Sequence, residues 1–127
     1  MSFCSGKSVL GTGGAGFIGS HLVPRTSRIG RRGHGRDSLE RGSKDALQTS
    51  WSEIAFHQLD LLDKEAANRV CAGRDVVVHL NFEGGGIGYY TRRPFEVLEA
   101  NLRIDGNVLG AFAGKWSSVP GCPAFAK

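Results

Sequence analysis

Gly11-Thr12-Gly13-Gly14-Ala15-Gly16-Phe17-Ile18-Gly19 is the stretch that decides the fold. Two glycine registers overlap in it: Gly11, Gly13 and Gly16 satisfy G-x-G-x-x-G, while Gly13, Gly16 and Gly19 satisfy G-x-x-G-x-x-G. The physics is common to both. One glycine lets a strand turn sharply, a second lets the backbone approach a pyrophosphate, and a third lets helix and strand pack closely. Ahead of the stretch, Lys7-Ser8-Val9-Leu10 reads as a short strand; after it, Phe17, Ile18, Leu22 and Val23 fall at helical spacing. A phosphate held there would rest on free amides at the positive end of a helix dipole. Asp37, eighteen residues beyond Gly19, stands where an acidic group for ribose hydroxyls belongs. The plain alternative is a structural turn with no ligand.

Working outward, strands and helices alternate. Trp51 to Phe56 alternates toward Leu59-Asp60-Leu61 as a strand candidate, and Asp63 can cap a helix carrying Ala66, Ala67, Val70 and Cys71 on one side, stopped near Gly73. Asp75-Val76-Val77-Val78-His79-Leu80 is apolar on both faces, as a buried parallel strand requires. Gly84 to Gly88 reads as a loop. Pro94 suits the first turn of a helix whose stripe is Val97, Leu98, Leu102, Val108, Leu109 and Phe112. The pattern predicts an α/β fold with a parallel sheet. Residues 113–127 carry no classifiable pattern.

The chain is long enough for one ordinary domain, with 127 residues of which 40% are apolar and 22% charged. No apolar run approaches a membrane span, and no basic stretch precedes a hydrophobic run as in a secretory signal. Cys4, Cys71 and Cys122 lie far apart, so neither a disulfide framework nor a zinc site is proposed, and a reducing, cytoplasmic setting is expected. The net charge of +4 is carried by residues 24–41 alone, where six arginines face Asp37 and Glu40. Nucleic-acid grooves draw basic residues from several elements and interleave stacking aromatics. This stretch has no aromatic residue, so no nucleic-acid partner is expected.

Thr12-Gly13-Gly14-Ala15-Gly16-Phe17-Ile18-Gly19-Ser20-His21-Leu22 resembles the opening of the extended short-chain dehydrogenases, the NAD-dependent sugar-nucleotide epimerases and dehydratases. The resemblance continues through Asp60-Leu61, Asp75 to Leu80, and Glu99-Ala100-Asn101 to Asn107-Val108-Leu109, and covers most of residues 7–23 and 37–112. Residues 83–109 are similar to members acting on nucleoside-diphosphate sugars, including GDP-mannose epimerase-like proteins. The resemblance implies a Rossmann-like domain with NAD as cofactor. It places Gly13, Gly16, Phe17, Ile18 and Gly19 at the pyrophosphate, and Asp37 and Ser38 at the adenosine ribose, where an acid favours NAD over NADP. It sets Asp60 and Leu61 against adenine, Leu80, Asn81 and Phe82 on the nicotinamide side, and Asn101 reaching the cofactor from its helix. The plain alternatives are Asp60 ending a strand, Phe82 as a core ring and Asn101 facing water. His79 reads as a packed, hydrogen-bonded histidine rather than a catalytic one. Arg92 and Arg93 could hold a substrate diphosphate or simply face solvent.

The departures from the family are specific. Gly11 replaces an apolar residue, and Asn81-Phe82 replace a small pair, so a bulky ring would crowd the nicotinamide. In residues 24–36, Pro24 should break the helix, and Gly33 and Gly35 are poor strand formers. Back-translated and read one base later, Arg32 to Arg36 can encode Glu/Val-Val-Thr-Val-Val, and Thr26-Ser27 can encode Leu-Leu. A frame slip over 24–36 would account for this, and the segment is expected to be irregular, with a gap or weak pairing beside the first strand. The family's acid/base is a Tyr-x-x-x-Lys pair. Of the two tyrosines here, Tyr89 is followed at that spacing by Arg93 and Tyr90 by Pro94. The chain is therefore expected to be a truncated, N-terminal NAD-binding portion over residues 1–127, without turnover alone. The alternatives are a non-catalytic dinucleotide-binding or sensor module, and a gene fragment without function.

Overall fold

A computed structural model describes residues 5–29, 32–37, 54–113 and 125–126. Five parallel strands form one sheet in the order β3-β2-β1-β4-β5, with β1 at Ser8–Thr12, β2 at Arg32–Asp37, β3 at Ile54–Gln58, β4 at Val76–His79 and β5 at Phe125–Ala126. From β1 the chain moves to β2 and β3 on one side, then returns to β4 on the other. The order in which strands are added therefore reverses between β1 and β4, and the crevice beyond their carboxyl ends is where such sheets hold ligands. Helices cover both faces: α1 at Phe17–Ile29, α2 at Lys64–Cys71, α3 at Ile87–Arg92 and α4 at Pro94–Ala113.

The larger core lies on the face under α2 and α4, where Leu10 and Val77 of the sheet meet Leu61, Ala67, Val70, Cys71, Ile104 and Val108. Asp63 caps α2 as expected, its Oδ1 accepting from the Glu65 amide at 2.9 Å, and Ala66, Ala67, Val70 and Cys71 are the buried side. On the opposite face Ala15 and Val23 pack with Phe56. At the amino ends of the strands, the Ser8 amide donates to Asp75 Oδ2 at 2.7 Å and Arg74 donates to the Ser8 hydroxyl at 3.1 Å. Desolvation lowers the Arg74 pKa from the usual arginine value, with Cys71 acting in the opposite sense.

Residues 24–29 and 32–36 overturn the expectation of an irregular segment; residues 30 and 31 lie outside the described residues. Helix α1 runs through Pro24 to Ile29, and β2 pairs along its length with β1 on one side and β3 on the other. That continuous pairing removes the gap that the frame-slip account required. The physical reason is that a parallel ladder is made of backbone groups, so propensity yields to two flanking strands. Register explains the glycines further. Gly33 pairs with Val9 and Ile54, and Gly35 with Gly11 and Phe56. Partners in register share a face, so these glycines and Gly11 lie on the Phe56 face of the sheet. Pro24 removes one helical hydrogen bond, at a usual cost of about 3 kcal/mol. Burial of the neighbouring Val23, worth about 1.5–3 kcal/mol, is of the same size, and the Thr26 hydroxyl donates to the Val23 carbonyl at 2.9 Å.

Two smaller expectations also change. The loop after β4 is shorter than expected, because Ile87 and Gly88 open α3. In α4 only Val97, Ile104 and Val108 are buried, while Leu98, Leu102 and Leu109 are exposed. The inward stripe therefore runs through positions 97, 101, 104, 105 and 108, and it carries Asn101 and Asp105 among the apolar residues. Of residues 113–127, Ala113 closes α4 and Phe125–Ala126 pair with β4.

Candidate functional site

The turn after β1 settles which glycine register is used. Gly13 has φ +65, and a Cβ there would lie 2.7 Å from the Leu80 carbonyl oxygen. A Cβ on Gly19 would collide with the Gly13 carbonyl, and one on Gly16 would stand 3.2 Å from that same oxygen. The three glycines thus form one cradle, in the spacing 13, 16, 19. Gly11 lies inside β1 and takes no part in the turn. The Gly16 amide bonds back to the Gly13 carbonyl at 3.1 Å, which closes the turn and starts α1. No acidic residue sits in the first turn of α1, so nothing there competes for an anion at the positive helix end. Phe17 and Ile18 are exposed on that first turn.

Register places Asp37 beside the cradle. Arg36 pairs with Thr12, so Asp37 lies one residue past it, at the carboxyl end of the strand next to β1. Ser38 lies outside the described residues. Asp60 is committed to a turn: its Oδ1 accepts from the Leu62 amide at 2.9 Å, and its carbonyl accepts from the Asp63 amide at 3.3 Å. Leu61 is buried in the main core, and the Asn107 amide donates to the carbonyls of Leu61 and Leu62 at 2.9 and 3.0 Å.

Beyond β4, the Leu80 and Asn81 amides both donate to the Thr12 hydroxyl oxygen, at 3.0 and 3.2 Å. Phe82 is not a core ring. It is 57% exposed, and its ring covers Gly84 and lies 6.3 Å from that of Tyr90. Asn101 does not face water. Its Oδ1 accepts from the Glu83 amide at 3.0 Å, and its Nδ2 donates to the carbonyls of Glu83 at 2.7 Å and Val97 at 2.8 Å. Both Nδ2 protons are therefore used, and one Oδ1 lone pair remains for a ligand. The Tyr89 hydroxyl donates to Glu83 Oε1 at 2.6 Å, so the loop between β4 and α3 is held from both ends.

His79 is fully buried and hydrogen-bonded, in line with its reading as a packed histidine. Sequence reasoning gave no role to Thr12, Glu83, Asp105 or Asn107. The signal for Asp105 is the inward stripe of α4, in which it follows Asn101 by one helical turn among apolar residues; Asn107 lies off that stripe. Among the described residues no cluster could hold a metal ion, and no helix is long and apolar enough to cross a membrane.

A family model described as the NAD dependent epimerase/dehydratase family matches residues 9–116. The chain belongs to this family. It is 31% identical over 100 residues to a UDP-glucose 4-epimerase of Bacillus subtilis, covering 75% of this chain and 30% of the relative. UDP-glucose 4-epimerase 2 of Arabidopsis thaliana is 35% identical over 112 residues, covering 80% and 31%. Among solved structures, an epimerase of Methanothermobacter thermautotrophicus superposes with a TM-score of 0.77 at 29% identity, over 87% of this chain and 32% of that one. The Thermus thermophilus UDP-glucose 4-epimerase in complex with NAD superposes with a TM-score of 0.67 at 29% identity, over 82% and 33%. The chain thus spans about a third of the length of the relatives it matches. The fold is Rossmann-type, and the family's cofactor is NAD.

Proposed function

We propose that this chain is the NAD-binding portion of a sugar-nucleotide epimerase or dehydratase, and that alone it binds the dinucleotide without turning over substrate. The observation that carries the reading is the turn of Gly13, Gly16 and Gly19, packed so closely against Leu80 and against itself that a Cβ would crowd backbone at each position, at the carboxyl end of β1 and the start of α1 with Asp37 beside it. The residues fit NAD. The first-turn amides of α1 at Phe17, Ile18 and Gly19 take the pyrophosphate, and Asp37 takes the adenosine ribose hydroxyls. The turn at Asp60 and Leu61 borders adenine. Leu80, Asn81 and Phe82 line the nicotinamide side, and the free Oδ1 lone pair of Asn101 faces the same loop. When bound, NAD supplies hydride acceptance and return at a sugar carbon. The Tyr-x-x-x-Lys proton donor is not among these residues, so the nucleoside-diphosphate sugar is a partner of the longer enzyme, not of this chain alone.

Calorimetry with the 127-residue chain tests the reading. NAD is expected to bind weakly and NADP more weakly still, because a 2′-phosphate would meet Asp37. Losing one charge-assisted hydrogen bond costs about 1.5–3 kcal/mol, so Asp37→Ala should weaken NAD about ten- to hundredfold. UDP-glucose should remain unconverted with NAD present. An Asp37→Ala variant binding NAD as well as the parent would refute the ribose assignment, and turnover would refute the inactivity of the chain.

A further inference from the structure

Under the crevice, a polar chain crosses from helix to sheet. Asp105 Oδ1 lies 3.0 Å from His79 Nε2, and His79 Nδ1 lies 2.6 Å from the Thr12 hydroxyl. That hydroxyl in turn accepts from the Leu80 and Asn81 amides. The His79 side chain is fully buried and that of Asp105 is 23% exposed. We propose that Asp105 is a positioning residue: acting through His79 and Thr12, it fixes the Leu80–Asn81 amides and so sets the nicotinamide side of the dinucleotide site. This rests on the cofactor reading above.

Hydrogen-bond capacity assigns the protons. A hydroxyl oxygen has two lone pairs and one proton. Both lone pairs of Thr12 Oγ1 serve the amides of Leu80 and Asn81, so its proton goes to His79 Nδ1. His79 is then the neutral Nε2–H tautomer, which donates to Asp105. The other neutral tautomer would set a bare nitrogen against a carboxylate oxygen and three N–H donors against two lone pairs. Each link therefore orients the next, and the four hydrogen bonds run from 2.6 to 3.2 Å. The consequence reaches the ligand site, because the Leu80 carbonyl abuts the Gly13 turn. Were the Thr12 side chain to turn about χ1 and carry its oxygen away, the Asn81 amide would lose that acceptor. The Leu80 amide would keep only the longer bond to the Thr12 carbonyl, at 3.3 Å. The signature of such a role is selective: the nicotinamide half of the ligand should feel it, and the adenosine half should not.

The test uses the full chain, with NMR and calorimetry. In the unliganded parent at neutral pH, the ring nitrogens of His79 should show a protonated Nε2 and an unprotonated Nδ1; a protonated Nδ1 overturns the proposal without any variant. Asp105→Leu should speed hydrogen exchange at the Leu80 and Asn81 amides about tenfold. It should weaken NAD several-fold while leaving ADP-ribose unchanged. Asp105→Asn, which still presents an oxygen to Nε2–H, should restore both the slow exchange and the NAD affinity. Thr12→Val should reproduce the Leu variant, and Thr12→Ser should not. Equal losses of NAD and ADP-ribose, or failure of Asp105→Asn to rescue, would reduce Asp105 to a residue of general stability and overturn the proposal. If the parent binds neither ligand, the cofactor reading falls and the positioning role falls with it. Unchanged exchange in an Asp105→Leu variant, alongside normal NAD binding by the parent, overturns the positioning role alone.

Discussion

Replacing Gly13 by alanine separates two costs that the turn combines. The residue has φ +65, where an L side chain costs about 1–2 kcal/mol, partly offset by about 0.4–1 kcal/mol because alanine restricts the unfolded chain. The same backbone term applies at Gly73, with φ +73 and nothing within 4 Å of a Cβ. Gly73→Ala should therefore cost between about 0 and 1.6 kcal/mol. At Gly13 the new methyl would also lie 2.7 Å from the Leu80 carbonyl oxygen, and 2.8 Å from its carbon. Both are backbone atoms and cannot swing away, so an overpacking penalty of about 1–3 kcal/mol adds to the first term. Gly13→Ala should thus cost about 1–3 kcal/mol more than Gly73→Ala, and Gly86→Ala, with open space and ordinary φ, should cost less than either. Urea unfolding of the four proteins, compared at equal slope, reads the differences directly. If the Gly13 and Gly73 variants lose the same stability, then the close approach of the phosphate turn to Leu80 is wrong, and with it the geometry of the cradle.

Other outcomes follow from single contacts. Asn101→Ala should strand the Glu83 amide, cost about 1–3 kcal/mol and speed exchange at that amide; protection equal to the parent's would show that the amide has another acceptor. Pro24→Ala should stabilise the chain by up to about 3 kcal/mol, since it restores a helical hydrogen bond; a loss of stability by denaturant unfolding would mean the helix does not run through this position. Asp63→Ala should cost about 1 kcal/mol as the α2 cap is lost, and Asp63→Asn should cost much less; equal losses would refute a capping role. Binding to DNA, followed by fluorescence anisotropy, should be weak and vanish by physiological salt; salt-resistant, sequence-selective binding would give the arginine-rich stretch a ligand after all.

Much of this molecule is legible in its sequence, because the signals are local. The glycine spacing around Gly16, the apolar run from Val76 to Val78 and the Asp63 cap each depend on a few neighbouring residues, and each stands where the pattern puts it. The family is legible for the same reason, as its first motif is contiguous. What failed was judgement by propensity in residues 24–36. Gly33 and Gly35 form no strand on their own account, but between β1 and β3 the ladder supplies the hydrogen bonds.

Only the structure decided between the two glycine registers: Gly11 stays inside β1, a Cβ on Gly19 would collide with the Gly13 carbonyl, and the shared Gly13 is closed upon by the Leu80 carbonyl, just past β4 and nearly seventy residues away. The same holds for the polar residues of α4. Asn101 and Asp105 occupy an inward face that the sequence marks only as an interrupted apolar stripe, and their partners Glu83 and His79 come from another element. Local spacing fixes which face of an element a residue occupies. What meets that face is set by packing between elements distant in the chain, and the orientation of every hydrogen bond in the crevice follows from that packing.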